Sequence, residues 1–257
     1  MMTSRLRMAA LSLAGAALLG TAASAAVVRV DQANFKPSAG LITFSEFSLG
    51  TVNPVYTPAD YGGGPTAPVV MFDGYFLGQS LSANPAVDCP GGTPNACVVG
   101  TPNAGLSLDP ASPNTFITND GSAPNTPVLS GSPTFNGAIA VLFDSDQFGV
   151  GFDAGFFNAV GSLGLTAYNR NGDLLGTVSN QGFGIEFLGL VSEAADIAGV
   201  LFSLTGPEPA GFAIDSLRFG KRDDVIVNPA PIPLPAAGWL LLGGLGGLAA
   251  LRRRRAA

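Results

Sequence analysis

The sequence predicts an all-β fold, a jelly-roll-like β-sandwich, flanked by an N-terminal signal helix and a C-terminal transmembrane helix. Three observations predict it. Residues 27–228 consist of short apolar runs separated by Gly, Pro, Asn, Asp and Ser, with no long stretch of helical period. In the second half the runs recur at roughly 10–15 residues, the spacing of sandwich strands. The two ends differ from the middle, being apolar segments flanked by arginines. The chain therefore divides into a signal peptide (1–25), a β-sandwich domain (26–227), a Pro-rich linker with a sorting motif (228–235) and a transmembrane helix with an Arg-rich cytoplasmic tail (236–257).

The strands are read in chain order. Leu41-Ile42-Thr43-Phe44 is an early strand, and Val69-Val70-Met71-Phe72 and Tyr75-Phe76-Leu77 form a pair around Asp73-Gly74. Residues 78–137 are poor in apolar residues and read as long loops, with one strand near Thr115-Phe116-Ile117-Thr118. Ala138–Phe143 is a continuous apolar run, hence a buried strand. Phe148, Val150 and Phe152 alternate with glycines, and Leu163, Leu165 and Ala167 alternate in the next strand. Asn171-Gly172 signals a hairpin through a type I′ turn, whose two central residues both need φ > 0. Leu174–Val178, Gly184–Leu188, Ile197–Leu204 and Gly211–Phe219 complete the set, with one helical turn expected over Glu193–Asp196.

Charge and composition exclude several functions. All eighteen acidic residues lie between Asp31 and Asp224, and the central segment 26–227 holds only six basic residues beside them, so it carries −12. That balance argues against nucleic-acid binding, which needs Lys and Arg to neutralise phosphates. The chain has no histidine, which removes the commonest general base, Ser-His triads and most zinc sites. Gly62-Gly63-Gly64-Pro65 lacks the Lys and following helix of a phosphate loop. No feature selects a catalytic pair among the carboxylates, so the domain reads as non-catalytic. A secreted glycan hydrolase is the remote alternative, because glycosidases need two facing carboxylates. Cys89 and Cys97 flank a turn-rich loop and are expected to form a disulfide in an oxidising compartment.

At the start, Arg5 and Arg7 precede the apolar run Met8–Leu19, and Ala23-Ser24-Ala25 supplies small residues at Ala23 and Ala25. This is a secretory signal cleaved by signal peptidase after Ala25. At the end, Asn228-Pro229-Ala230-Pro231 is a stiff spacer. Ile232-Pro233-Leu234-Pro235-Ala236 follows, then an apolar stretch to Leu251, closed by Arg252, Arg253, Arg254 and Arg255. Residues 236–251 form about 24 Å of helix at ~1.5 Å per residue, short for a ~30 Å hydrocarbon core. Trp239 at the outer interface and the arginines at the inner one lengthen its reach. The positive-inside rule puts the arginines in the cytoplasm and the domain outside.

This tail resembles the PEP-CTERM sorting signal, and closely its VPLPA-CTERM variant, with Ile232 in place of the usual Val. The resemblance covers about 25 residues and implies an exported protein recognised at the proline motif by an exosortase, a membrane transpeptidase. It also implies inner-membrane anchoring followed by cell-surface or extracellular destination, in bacteria that make extracellular polysaccharide. The central pattern is similar to domains of other PEP-CTERM proteins, in Ile42–Glu46, Val150–Phe157 and Gly211–Leu217. Through them it resembles galactose-binding-like jelly-roll modules.

That second resemblance implies a structural calcium between first and last strands, with Glu46 and Asp215 as ligands. The other reading of these two is a pair of exposed strand-end carboxylates. Asp144 and Asp146, and Asn169, Asn171 and Asp173, have calcium-like spacing but lack the downstream Glu of an EF-hand, and turn chemistry explains them. Tyr56, Tyr61, Tyr75 and Tyr168 are the tyrosines available as sugar platforms, while Phe156-Phe157 reads as core. The function expected is a non-catalytic surface or extracellular-matrix protein associated with exopolysaccharide. A calcium-dependent carbohydrate-binding module is the alternative.

Overall fold

Among the described residues the alternating and continuous apolar runs become fifteen strands. In this computed structural model the described residues are 27–121 and 127–227. The expected signal peptide with Ala23 and Ala25, and the expected linker, sorting motif and tail, lie outside them. Among the described residues no helix is long and apolar enough to cross a membrane.

The strands are β1 (Val28–Arg29), β2 (Gly40–Ile42), β3 (Val55–Tyr56), β4 (Val70–Asp73), β5 (Gln79–Leu81), β6 (Val98–Gly100), β7 (Thr115–Thr118) and β8 (Val128–Gly131). The longer ones follow: β9 (Ile139–Gln147), β10 (Gly149–Phe157), β11 (Leu163–Tyr168), β12 (Leu174–Ser179), β13 (Gly184–Val191), β14 (Ile197–Leu204) and β15 (Ala213–Gly220). One sheet has the order β1-β13-β10-β15-β8-β7, with β2 also pairing β15. The other has the order β12-β11-β14-β9-β4-β3, and β5 and β6 form a small separate ladder. All pairings between these strands are antiparallel.

From β9 onward the chain alternates between the sheets, pairing two successive strands only at β11–β12. It changes sheet within one residue at Phe148, between β9 and β10. The inner faces meet through phenyl rings. Phe152 of β10 lies 5.3 Å from Phe202 of β14, and Phe143 of β9 lies 5.4 Å from Phe219 of β15. Each such side chain, fully buried, contributes about 1.5–3 kcal/mol. The fold is thus the expected all-β sandwich.

Local details correct several expectations. Tyr75–Leu77 does not return against β4, because β4 lies between β3 and β9. Phe76 instead makes an isolated bridge to Leu108. Residues 74–112 pack over the outer face of the six-stranded sheet, where Phe76 meets Tyr168 at 5.7 Å. Gly199 of β14 permits this approach, since a Cβ there would stand 2.8 Å from the Phe76 ring. This cover is why β14 is buried from Ile197 to Ser203.

The β11–β12 hairpin forms, but its turn is not type I′. Gly172 has φ +83° while Asn171 is not in the left-handed region. The Asn169 carboxamide oxygen accepts from the backbone N–H of Asn171 and Asp173, so a five-residue loop is closed by its own first side chain. The expected helical turn over Glu193–Asp196 is instead a single β-turn, closed by the Ala195 N–H donating to the Ser192 carbonyl. Phe157 is core as expected, whereas Phe156 is 46% exposed. Its place is one strand residue earlier, hence on the opposite face.

Candidate functional site

Two places concentrate chemistry: an acidic seam on the outer face of the seven-stranded sheet, and a groove at one edge of it.

The seam arises where β15 changes partner. Along one side of β15, Ile214 pairs with Leu129 of β8, and Leu217–Phe219 pair with β2. Asp215 and Ser216 lie between, and Ser216 has φ +51°. On the other side of β15, Asp215 is in register with Asp153 of β10. Phe152, Ala154 and Ile214 point into the core, so alternation turns the two aspartates to the outer face together.

The carboxylates there are uncomfortable as anions. Burial pushes Asp215 up to about 6, with the Asp153 and Glu46 charges adding to the shift and the Ser216 N–H opposing it. Burial also raises Asp153, against the Arg218 charge and the Ser216 hydroxyl, which favour its ionised form. Glu46 Oε1 accepts from the Thr43 N–H and hydroxyl. Glu46 Oε2, the Tyr56 hydroxyl and Arg218 Nε are buried without a hydrogen-bond partner among the described residues.

The sequence-predicted pair Glu46 and Asp215 is thus within electrostatic reach. Its donor set is short for calcium, which takes about 6–8 oxygens. Among the described residues no group of three or more His, Cys, Asp or Glu could hold a metal ion. The Asp153–Asp215 cleft, which Asp120 and Ile185 also line, has a volume of about 20 Å³. That is room for about one water.

A pH dependence follows. Asp215 binds its proton more tightly folded than unfolded, where its value is near 4. Its contribution is therefore fully present below about pH 4 and is lost as pH rises through about 6. Asp215→Asn should flatten this slope and raise the melting temperature at pH 7.5 relative to the parent. Thermal melts from pH 4 to 8 read the difference, and parallel curves would contradict it.

The groove measures about 460 Å³, within the ~300–1,000 Å³ of ligand sites. Its walls come from distant segments: Pro37–Leu41, Tyr61–Pro68, Gln147 and Phe219–Asp224. Tyr61 forms one side. Its hydroxyl donates to the Pro68 carbonyl, and its ring meets Phe219 edge-on at 5.3 Å. Burial, aided by the Asp144 charge, pushes the Tyr61 hydroxyl up to about 12. The glycine loop that failed as a phosphate loop is the adjacent wall. A Cβ at Gly63 would come within 2.6 Å of the Tyr61 ring, so a larger residue there would displace it. Gln147 is buried at the base, with its Nε2 donating to the Ser145 carbonyl.

Of the four tyrosines, Tyr56 and Tyr168 are buried, and Tyr168 accepts from Gln79 Nε2. Tyr61 and Tyr75 remain half-open. Asp146 is taken up by Arg170, and Asp144 accepts from the Val69 N–H. Asn169, Asn171 and Asp173 serve the turn described above. Cys89 and Cys97 form the expected disulfide.

Neither a family model nor a curated protein sequence matches the chain. A solved structure with some likeness is the enzymatically active domain of tailspike protein 4 from bacteriophage CBA120. It is 20% identical over 41% of this chain and 17% of that chain, with a TM-score of 0.25. At that score the likeness carries no argument about fold or function.

Proposed function

We propose that the chain is an exported, non-catalytic surface or matrix protein whose sandwich is a jelly roll and whose partner is extracellular polysaccharide. In this reading residues 1–25 direct export and signal peptidase removes them. The 236–257 segment then holds the domain at the outer side of the inner membrane, and exosortase acts at Ile232–Ala236 to release or attach it.

The observation that carries the reading is the Cys89–Cys97 disulfide, the bond of an oxidising compartment. Two features support it. Strands β9–β15 cross between the sheets as in a doubled Greek key. The chain also leaves the sandwich beside its own beginning, since Ile226 and Asn34 exchange backbone and side-chain hydrogen bonds. The tail therefore attaches where the mature chain enters.

The test is protease added to intact spheroplasts. Digestion of the domain without lysis is expected; protection until lysis would overturn the reading. Replacing Pro233 and Pro235 together by alanine should leave the tail uncleaved while export continues.

A second reading, the calcium-dependent module, is favoured by the orphan Glu46 Oε2 near Asp215. A ligand that binds only the native state raises the melting temperature by mass action. Our account expects equal melts in EDTA and in millimolar Ca2+. A rise in Ca2+ that Glu46→Gln or Asp215→Asn abolishes would replace it with the second reading.

A further inference from the structure

We propose that the groove beside Tyr61 binds uncharged glycosyl chains rather than acidic ones. This rests on the reading that the partner is polysaccharide, and it names the site and the class of chain.

Two charged side chains line the groove, Asp224 and Lys221. The Asp224 carboxylate accepts from the Ser38 hydroxyl on Oδ1 and from the Lys221 N–H on Oδ2. The Lys221 ammonium donates to the Asp146 carbonyl and the Ser145 hydroxyl. Each charge is thus already engaged within the protein, and together they cancel. An incoming anion would meet one cation, already donating to two protein acceptors, beside a carboxylate that repels it.

The groups that remain suit a hydroxyl-rich neutral ligand. Gln147 offers a carboxamide at the base, itself 1% exposed and held by its bond to Ser145. Thr66 offers an exposed hydroxyl at the rim. Tyr61 offers a ring fixed at both ends, by the Pro68 carbonyl and by Phe219. A sugar ring has an apolar C–H face and a polar hydroxyl edge, so it matches a ring wall beside an amide and a hydroxyl. A pre-fixed wall also lowers the ordering cost of binding.

The long-range field selects in the same direction. The central segment carries −12, so a uronate-rich polymer approaches against repulsion and a neutral one does not.

The test is affinity electrophoresis of the full chain in detergent. The gels contain dextran, galactomannan or mixed-linkage β-glucan, and in a parallel arm alginate. Retardation by at least one neutral polymer and none by alginate is expected. Tyr61→Ala should weaken it at least about tenfold, or ~1.4 kcal/mol. Because Tyr61 also packs on Phe219, the exposed-rim variant Thr66→Trp, which fills the groove, is run beside it. It should weaken retardation equally with an unchanged melting temperature. No retardation by any neutral polymer, retardation by alginate, or retention of binding in Thr66→Trp would each overturn the proposal. Failure here with digestion of the domain in intact spheroplasts would discard the groove and keep the surface-protein reading. Protection in spheroplasts would discard that reading whatever the gels show.

Discussion

Glu208→Leu should cost the domain about 3 kcal/mol, roughly 6–12 °C of melting temperature for a domain of this size. Glu208 is fully buried in the connection between β14 and β15. Its Oε2 accepts from the Asn158 N–H and the Ser162 hydroxyl, both at 2.8 Å, and its Oε1 accepts from Asn158 Nδ2 at 2.6 Å. Asn158 follows β10 and Ser162 precedes β11, so one carboxylate ties together two crossovers between the sheets. Leucine matches its bulk but ends all three bonds: Asn158 Nδ2 still reaches the Ala210 carbonyl and the Ser162 hydroxyl the Ala159 carbonyl, while the Asn158 N–H loses its acceptor. Glu208→Gln can keep the two bonds on Oε2 and loses only the one on Oε1, so it should cost less than half as much. Calorimetry on both variants measures the pair. A loss below about 1 kcal/mol for leucine would show that the carboxylate is not what fixes these crossovers.

Removing the disulfide with Cys89→Ser and Cys97→Ser should cost about 2–3 kcal/mol, the loop-closure value for a separation of 8 residues. That corresponds to roughly 5–10 °C. The bond closes the loop at the end of the β5–β6 ladder, where the Ser82 N–H donates to the Cys97 carbonyl. The loop rests on the Glu208 segment: the Thr93 N–H donates to the Glu208 carbonyl, and Gly92 lies against Leu204, where a Cβ would come within 2.5 Å. The two sites share these contacts, so Glu208→Leu and the double Cys→Ser change should not be additive. Additivity within about 0.5 kcal/mol would separate them.

What was legible in the sequence was what period and turn chemistry encode locally. Ala138–Phe143 and Leu163–Ala167 became β9 and β11 because their side chains face a core wherever the strands pair. The hairpin at Asn171-Gly172 was legible, but its turn type was not, because the Asn169 side chain closes a longer loop. Phe156 was misread because two adjacent phenylalanines carry no alternation to say which faces in. The Asp153–Asp215 pairing depends on a register set by strands 62 residues apart, and Glu208 reaches Asn158 across 50. The groove gathers four stretches between Pro37 and Asp224, none of which carries a local binding motif.

The central claim is export with the disulfide closed and the ends processed. The most direct measurement is the intact mass of the protein recovered from the cell envelope and medium, without and then with reductant. The account predicts a chain that begins at Ala26, ends in or near Ile232–Ala236 once sorted, and gains two hydrogen atoms when the reductant supplies two electrons to Cys89–Cys97. A chain that retains residues 1–25, or one whose mass reductant leaves unchanged because the thiols are already free, would contradict it.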